Sequence, residues 1–300
     1  MAEDGQVLVV GSLNEDLRLR TPTVPAAGET VLGGPHDWGL GGKGSNQAIA
    51  AARYGATVAM IGLLGDDAGA EKIRAAFDAE GIDTTLLGTS TDAATGLALI
   101  VLEPSGENRI IVSAGANLQL TVAGVTAASD RVAGAAVVLA QLEIPLPVVQ
   151  AAFDNARGTT VLNAAPAQQL PAELLAATEV LVVNEGELAM IAGLAGAASV
   201  AGVPAIVGAC GGIVGPSTVI VTRGAAGAVV VDAAGPTEVP APQVDAIDTT
   251  GAGDCFCGVL AASLAEGVEI HQAAMIAVRA ASLAATRLGA AEGMPRRDEL

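Results

Sequence analysis

The sequence predicts an α/β fold with a mainly parallel central sheet and a small inserted sheet. Short apolar runs alternate with helical stretches along most of the 300 residues, which is the βαβ rhythm of a parallel sheet. Two β-rich runs, 95–102 and 108–113, interrupt this rhythm and have a hairpin signal between them. The sequence contains neither an internal repeat nor a linker. We therefore expect one compact domain that carries an accessory sheet.

Apolar periodicity predicts the individual elements. Strands are expected at 7–11, 58–64, 136–141, 160–163, 180–184 and 218–222, with a hairpin at 228–232 and 237–239. Helices are expected at 48–54, 68–80, 147–156, 171–178, 251–267 and 269–288. The segment 17–38 is broken by prolines and predicts a loop or an edge strand. Ligands bind beyond the carboxyl ends of parallel strands, so the polar residues that follow three strands should share a crevice: Glu143, Asn163 and Asn184.

Composition excludes several classes of function. The formal net charge is −18, from 14 Lys and Arg against 32 Asp and Glu, which argues against nucleic acid or anionic membranes as partners. Three cysteines without CxxC spacing argue against a disulfide framework or a zinc site, and Cys255 and Cys257 are expected in the core. The lack of a signal-peptide pattern indicates the cytoplasm. The uncharged stretch 188–222 is rich in Ala, Gly and Val and contains prolines, so it favours a buried helix and loops over a membrane span.

The segment Asp248 to Asp254, with the sequence DTTGAGD, has the composition of an anion-binding site. Its two glycines, Gly251 and Gly253, allow a ligand to approach the backbone closely. A helix is predicted to follow, and the free N–H groups and dipole of a helix N-terminus favour phosphate. Asp254 lies in the same turn. It is either a catalytic base for phosphoryl transfer or only a cap of the helix.

A second glycine-rich segment, Gly39 to Gln47, is predicted to be a flexible loop. It contains GxGxxG, but no buried strand precedes it as a dinucleotide-binding fingerprint requires. A Walker A loop is also excluded, because Asp37 replaces its first glycine and Gly44 replaces the Ser or Thr after Lys43. The segment offers backbone N–H donors, the ammonium group of Lys43 and a carboxamide side chain. These groups suit a polyhydroxylated or phosphorylated small molecule.

Taken together, these motifs resemble the ribokinase branch of the PfkB carbohydrate kinase family over nearly the whole chain. The segments that carry the resemblance are Gly11–Asp16, Gly41–Ala48, Gly106–Asn108, Ala114–Asn117, Gln141–Glu143, Asn184–Glu187 and Asp248–Asp254. The resemblance implies a three-layer sandwich with a small β-lid, as one domain over 1–300 with lid segments at about 13–38 and 95–113. It also implies ATP-dependent phosphorylation of D-ribose to D-ribose 5-phosphate. The alternatives are a nucleoside or other furanose kinase of this family and a non-catalytic sugar-binding regulator.

The resemblance also implies roles for individual residues. Asp254 would be the general base, and the N–H groups of Gly251, Ala252 and Gly253 would face the developing charge. The implied sugar contacts are Asn14, Asp16, Gly42, Lys43, Asn46, Glu143 and Asp254. The implied ATP and magnesium contacts are Asn184, Glu187, Thr222, Arg223, Gly224, Ala225, Gly227, Gly253 and Val278. A potassium ion would lie at Asp248, Thr250, Ala284, Arg287, Gly289 and Gly293, and the lid would form a homodimer.

Several of these residues have a second interpretation that needs no ligand. Asp16 could be a turn former, Glu143 a solvated loop acid and Lys43 simply exposed. Asn184 and Glu187 have the spacing of a helix capping box.

The chain also departs from the family pattern at two places. The uncharged segment 194–217 replaces a charged amphipathic helix, which leaves the adenine side open. Gly293 stands where relatives often carry Ser.

Overall fold

The computed structural model describes residues 6–103 and 108–300. Its strands are β1 (Gln6–Val10), β2 (Asn14–Arg20), β3 (His36–Gly41), β4 (Thr57–Gly65), β5 (Leu87–Ser90), β6 (Gly96–Leu102), β7 (Asn108–Ser113), β8 (Val137–Ala140), β9 (Thr159–Asn163), β10 (Val180–Asn184), β11 (Thr218–Thr222), β12 (Ala228–Asp232) and β13 (Gly235–Val239). Its helices are α1 (Lys43–Tyr54), α2 (Ala68–Ala79), α3 (Val122–Ala127), α4 (Ser129–Gly134), α5 (Leu146–Asn155), α6 (Ala172–Ala176), α7 (Glu185–Ile191), α8 (Val203–Cys210), α9 (Ala252–Ala265), α10 (Ile270–Ala284) and α11 (Ala290–Gly293).

The central sheet has the strand order β13-β12-β11-β10-β9-β8-β1-β4-β5. Its strands are parallel from β11 to β5, and β12 and β13 extend it as an antiparallel edge. Alternate residues of β1 belong to two buried clusters, Val7 and Val9 on one face and Leu8 and Val10 on the other. A sheet that is covered on both faces takes continuous apolar strands. The predicted three-layer α/β sandwich is thus confirmed.

Helices α1 and α9 pack closely on one face of this sheet. Gly258 of α9 permits the approach, because a Cβ atom there would collide with the main-chain oxygen of Gln47 and the side chain of Ala50. Cys255 and Cys257 are buried in the same layer, as predicted. Burial raises the pKa of the Cys255 thiol to about 12, so it stays protonated at neutral pH. The packing brings the first turns of α1 and α9 together.

A separate four-stranded sheet has the order β3-β2-β6-β7. Strand β2 pairs in parallel with β6, while β3 and β7 are antiparallel to their neighbours. The runs predicted at 95–102 and 108–113 are β6 and β7, which confirms the inserted sheet. Most of the turn predicted between them, 104–107, lies outside the described residues.

The prediction of a flexible loop over Gly39 to Gln47 is wrong. Gly39 to Gly41 complete strand β3, and helix α1 begins at Lys43. The side chains of Arg18 and Asp16 on β2 lie over Gly39 and Gly41, where any Cβ atom would collide with them. The glycines therefore make room for neighbouring side chains within a strand. The segment 17–38, predicted as a loop or an edge strand, contains the loop 21–35 and the start of the edge strand β3, as predicted. Its first residues belong to β2, which has partners on both sides.

The helix predicted at 269–288 is shorter in the structure, since α10 ends at Ala284. The carbonyl oxygen of Ala285 accepts hydrogen bonds from the N–H groups of Ile247 at 2.8 Å and Asp248 at 3.1 Å. That oxygen is therefore used to hold the loop before α9, and the chain turns away from the helix axis. The short elements β5, α3, α4 and α11 were not predicted, and α7 was anticipated only by the capping-box spacing of Asn184 and Glu187.

No helix within the described ranges is both long and apolar enough to cross a membrane. The uncharged stretch 188–222 contains the eight-residue helix α8 and strand β11.

Candidate active site

Two cavities adjoin the N-terminus of α9. The smaller, of 130 Å³, is lined by residues that include Lys43, Asn184, Glu187, Gly251, Gly253 and Asp254. The larger, of 620 Å³, lies between the four-stranded sheet and the loops that precede α9 and follow α10; Asp16, Ile100, Asp248 and Gly289 are among its lining residues. The site therefore has a small polar compartment and a wider one beside the small sheet.

Asp254 is the third residue of α9 and is buried, with 6 % of its surface exposed. Asn46 Nδ2 donates to its Oδ2 at 3.0 Å, and Gln47 Nε2 donates to its Oδ1 at 3.0 Å. The first residues of α9 receive no capping hydrogen bond from a side chain. The alternative that Asp254 only caps its helix is therefore wrong, since its carboxylate is directed at α1.

Backbone donors surround this carboxylate. Gly251, with φ of 74°, turns the chain into α9, and this left-handed conformation favours glycine. The N–H of Ala252 donates to Thr249 O at 3.2 Å, so it is not free for a ligand in this structure. Gly251 and Gly253 line the smaller cavity, and their N–H groups have no acceptor among the described residues. Two donors at a helix N-terminus thus form an anion cradle next to Asp254.

Lys43 is the first residue of α1 and also lines the smaller cavity. The negative charge of Asp254 raises the pKa of Lys43, and Glu143 and Glu187 act in the same direction, against the effect of burial. The side chain thus carries a positive charge at the place where the anion cradle lies. The alternative interpretation of Lys43, as a lysine that is simply exposed, does not match this position.

Asp16 has a different environment. It lies on β2, where it is 8 % exposed, and lines the larger cavity. No hydrogen bond within the described part of the chain reaches its carboxylate, and burial raises its pKa to about 7. Since buried carboxylates normally have partners, this oxygen pair is suited to accept hydroxyl groups. The turn-former alternative is wrong because Asp16 lies within a strand.

Neighbouring amides complete this region. Asn14 Oδ1 accepts a hydrogen bond at 2.8 Å from Asn117, which is itself held by the main chain of Leu13. Asn46 Oδ1 is buried without a hydrogen-bond partner. An unused acceptor beside Asp254 fits a hydroxyl-bearing ligand.

Glu143 follows β8 and is half-buried, and it makes hydrogen bonds that a merely solvated loop acid would not make. Its Oε2 accepts from Ser12 Oγ at 2.5 Å and from Lys43 N at 3.0 Å. It thereby holds the start of α1, where Gly42 has φ of 85°. Of the three polar strand ends expected to share a crevice, Asn163 and Asn184 line the smaller cavity, whereas Glu143 supports α1.

Asn184 and Glu187 form the capping box of α7. Glu187 Oε2 accepts from Asn184 N at 2.7 Å, and Asn184 Oδ1 accepts from Glu187 N at 2.8 Å. Both residues line the smaller cavity as well, and burial raises the pKa of Glu187. The capping box therefore holds oxygen atoms at the edge of the smaller cavity, and the two interpretations of this motif are compatible.

The residues expected at the nucleotide lie farther along the sheet. Gly224–Ala226 form a short 3-10 turn after β11, and Thr222 lines the smaller cavity. Arg223 pairs with Glu238 at 3.4 Å and donates to Ala226 O at 3.4 Å, so its guanidinium is engaged by strand β13 and by its own turn. Val278 is buried in α10, with 4 % exposure.

The residues expected at a monovalent cation surround the loop before α9. Asp248 Oδ1 accepts from Thr250 N at 2.9 Å and its Oδ2 from Gly289 N at 3.0 Å. Burial opposes ionisation, but these hydrogen bonds together with Arg18 lower the pKa of Asp248. A Cβ atom at Gly293 would lie 3.4 Å from Ala284 O and 3.5 Å from Arg287 O. One carboxylate and nearby carbonyl oxygens match the donors that a hard cation takes.

Sequence reasoning missed the supporting roles of three buried amides. They are Gln47, Asn117 and Gln141. It also missed the ion pair of Arg18 with Glu292, at 2.9 Å, which joins the small sheet to α11. A polar residue inside an apolar helix, such as Gln47 before the alanine run of α1, was the available signal for the first of these.

The fold and the site define a class: an α/β enzyme that transfers a phosphoryl group to a hydroxyl. The buried Asp254 carboxylate, the anion cradle and the open Asp16 carboxylate match the parts that such a reaction needs. The chain belongs to the pfkB family of carbohydrate kinases, whose model matches residues 4–297.

Individual relatives cover the chain almost completely. A ribokinase of Haemophilus influenzae is 37 % identical over 294 residues, which is 97 % of this chain and 95 % of that protein. The structure of a ribokinase from Thermotoga maritima has a TM-score of 0.90 at 29 % identity, covering 98 % of this chain and 97 % of that one. An Arabidopsis thaliana ribokinase, solved in complex with ribose and ATP, has a TM-score of 0.88 at 29 % identity and covers 97 % of this chain and 96 % of its own.

Proposed function

We propose that this carbohydrate kinase phosphorylates D-ribose with ATP to give D-ribose 5-phosphate, with Asp254 as general base. The observation that carries the proposal is the buried Asp254 carboxylate, fixed by two carboxamides beside a cradle of unpaired N–H groups. Ribokinases that align over at least 95 % of both chains support ribose as the acceptor.

The sugar would bind between Asp254 and the small sheet. Its hydroxyl groups would donate to the open Asp16 carboxylate and to Asn46 Oδ1, both of which await a partner. Asn14, Gly42, Lys43 and Glu143 line or support the same region and complete the expected set of sugar contacts. The 5-hydroxyl would point at Asp254, because a general base must be within hydrogen-bond reach of the proton it accepts.

In the transfer step the 5-hydroxyl oxygen attacks the γ-phosphorus of ATP while its proton passes to Asp254, and the bond to the ADP oxygen breaks. The N–H groups of Gly251 and Gly253 and the Lys43 ammonium would stabilise the negative charge on the transferred group. The N–H of Ala252 would join them only after releasing Thr249 O. Magnesium would be held near Asn184 and Glu187 and would neutralise phosphate charge.

The nucleotide would lie along the turn after β11, at Thr222, Gly224, Ala225 and Gly227, with Val278 beside the adenine. Arg223 would reach the polyphosphate only after leaving Glu238. A potassium ion would bind at Asp248, Thr250 and the carbonyl groups of Ala284, Arg287, Gly289 and Gly293. Because Asp248 accepts from Thr250 N in the turn that leads to Gly251, the ion would fix the anion cradle and raise activity without touching the substrate.

The small sheet would serve as the lid of a single domain over 1–300, formed by about 13–38 and 95–113 and extended by β3 to Gly41. One of its faces carries a row of apolar residues across all four strands: Trp38, Leu17, Leu99 and Ile111. Trp38 and Ile111 are 48 % and 66 % exposed. Such an apolar face supports a homodimer through the lid.

Sedimentation at working concentration tests the dimer. We expect a dimer for the wild type and dissociation of Ile111→Glu, whereas Leu118→Glu, at an exposed leucine outside the sheet, should remain dimeric. A monomeric wild type would refute the assembly. The location proposed for the enzyme is the cytoplasm, which its three free cysteines support.

A coupled assay of ADP release tests the acceptor. Ribose, deoxyribose, fructose, adenosine and pseudouridine are compared at equal ATP, with Asp254→Asn as the control for background hydrolysis. We expect the highest kcat/KM with ribose. Much faster phosphorylation of a nucleoside would identify the alternative furanose kinase, and absence of transfer to every acceptor would favour the non-catalytic regulator.

A further inference from the structure

We infer that Gln47 is a positioning residue that holds the Asp254 carboxylate in its reactive orientation. The inference rests on the proposed function, because it concerns how the base of that reaction is kept in place. Gln47 is the fifth residue of α1 and is completely buried. Its Nε2 donates to Asp254 Oδ1 and to Asn163 Oδ1, each at 3.0 Å.

The orientation of the Gln47 carboxamide is fixed by a third hydrogen bond. Gln141 Nε2 donates to Gln47 Oε1 at 2.6 Å. Both the nitrogen and the oxygen of the Gln47 carboxamide therefore have defined partners. A flipped amide would present its oxygen to the Asp254 carboxylate and its nitrogen to another N–H donor, which is unfavourable on both sides. Gln141 therefore determines which end of Gln47 faces the base.

Gln141 is itself held in a confined place. It follows β8 and is completely buried, and its Oε1 would lie only 2.1 Å from a Cβ atom on Gly11. The glycine that follows β1 thus leaves room for this amide. The resulting chain of hydrogen bonds runs from Gln141, at the end of β8, through Gln47 to Asp254.

This arrangement holds the base at two points, since Asn46 binds the other oxygen. Loss of the Gln47 hydrogen bond would leave the carboxylate free to rotate about its terminal torsion, which is a soft coordinate. Phosphoryl transfer depends on alignment, and a small misplacement of a reacting group lowers the rate strongly. An apolar residue at 47 would fill the same space, but it would leave three buried polar groups without their partner.

Other charges also act on Asp254 and must stay constant in a test. Lys43 on α1, Glu187 on α7 and Asp16 on β2 interact with it electrostatically. Within α9, the thiols of Cys255 and Cys257 are buried near it. Substitution at Gln47 changes none of these groups.

The test uses Gln47→Met, which keeps the length of the side chain and removes its hydrogen bonds. Gln150→Met is the matched control, because Gln150 makes the same type of bond to Asp154, at 2.8 Å on helix α5, away from the site. Single-turnover phosphoryl transfer and the KM values for ribose and ATP are measured at neutral pH. Asp254→Asn and Gln47→Glu are measured in parallel.

We expect Gln47→Met to slow single-turnover transfer by about tenfold or more while both KM values stay within about threefold. Gln47→Glu, which places a second carboxylate beside Asp254, should slow transfer at least as much, and Gln150→Met should match the wild type.

Wild-type single-turnover transfer in Gln47→Met would overturn the inference, and so would a loss confined to thermal stability. The Asp254→Asn variant separates the two proposals. If Asp254→Asn is inactive and Gln47→Met is normal, only the positioning role fails. If Asp254→Asn keeps wild-type turnover, the assignment of the base fails instead.

Discussion

Asp254 and Asp16 are both buried carboxylates of the same site, yet they differ in the hydrogen bonds that the protein gives them. Asp254 accepts hydrogen bonds from Asn46 and Gln47 on both of its oxygens. Asp16 accepts none from the described residues, and burial raises its pKa to about 7. The protein itself supplies the hydrogen bonds of the Asp254 carboxylate. The Asp16 carboxylate gains hydrogen bonds only when a ligand supplies hydroxyl groups.

The difference assigns the two residues to different steps. A base that is already oriented loses no free energy to reorganisation when the reaction occurs. A carboxylate without partners is costly in the free protein and gains most when a sugar arrives. We therefore expect Asp254 to determine turnover and Asp16 to determine sugar binding.

The largest effect is expected for Asp254→Asn. The amide keeps the shape and can retain a hydrogen bond, but it cannot accept the proton, so kcat should fall by at least roughly 10²-fold. The dissociation constant of ribose, measured by calorimetry, should change by less than about threefold. Near wild-type turnover would show that this carboxylate is not the base.

A second prediction concerns Asp16→Asn. Loss of a charged acceptor should weaken ribose binding by about 1.5–3 kcal/mol, or roughly 10- to 100-fold, at pH 8. At saturating ribose, kcat should change little. Because wild-type Asp16 is mostly protonated below its pKa of about 7, the defect should shrink at pH 6. A defect in kcat alone would place Asp16 in the chemical step.

A smaller effect is expected at the cation loop. Gly293→Ser adds a hydroxyl where a Cβ atom makes ordinary contact with Ala284 O and Arg287 O. We expect the potassium concentration for half-activation to fall roughly fivefold, equivalent to about 1 kcal/mol.

Gly293→Ala is the matched control for this variant, since it adds the Cβ atom without the hydroxyl. Activity is titrated with potassium against a bulky organic cation at constant ionic strength. Equal rates of the wild type in both salts would refute the cation site.

The smallest expected effect is on stability. The pKa of Asp16 rises on folding from 3.8 to about 7, so between these values the folded state binds more protons than the unfolded state. The free energy of unfolding of the wild type therefore decreases as pH rises from 3.8 to about 7. The difference in Tm between Asp16→Asn and the wild type should therefore be larger, in favour of the variant, at pH 8 than at pH 4, by roughly 5 °C. A pH-independent difference would contradict the raised pKa.

The parts that could be predicted from sequence are those whose chemistry is local. The anion cradle and Asp254 occupy seven consecutive residues, and the apolar strands lie in a regular rhythm. The supporting amides could not be predicted, because their partners are distant in the chain. Gln47 and Gln141 are 94 residues apart, and Gln47 and Asp254 are 207 apart.

The glycine-rich segment 39–47 shows a second limit. Glycine there was interpreted as flexibility, but in the structure it accommodates Arg18 and Asp16 from the neighbouring strand. Local sequence does not distinguish a glycine required by its own backbone angles from one required by a neighbour. The same limit applies to Gly258, which is needed by the packing of α1 against α9.

Proton release on ribose binding tests the division between the two carboxylates most directly. Calorimetric titrations at pH 7 in buffers of different protonation enthalpy give the number of protons exchanged. About half of Asp16 is protonated at its pKa of about 7, so the wild type and Asp254→Asn should each release about 0.5 proton per ribose. Asp16→Asn should release none. Binding without proton release in the wild type, or release that persists in Asp16→Asn, would contradict the account.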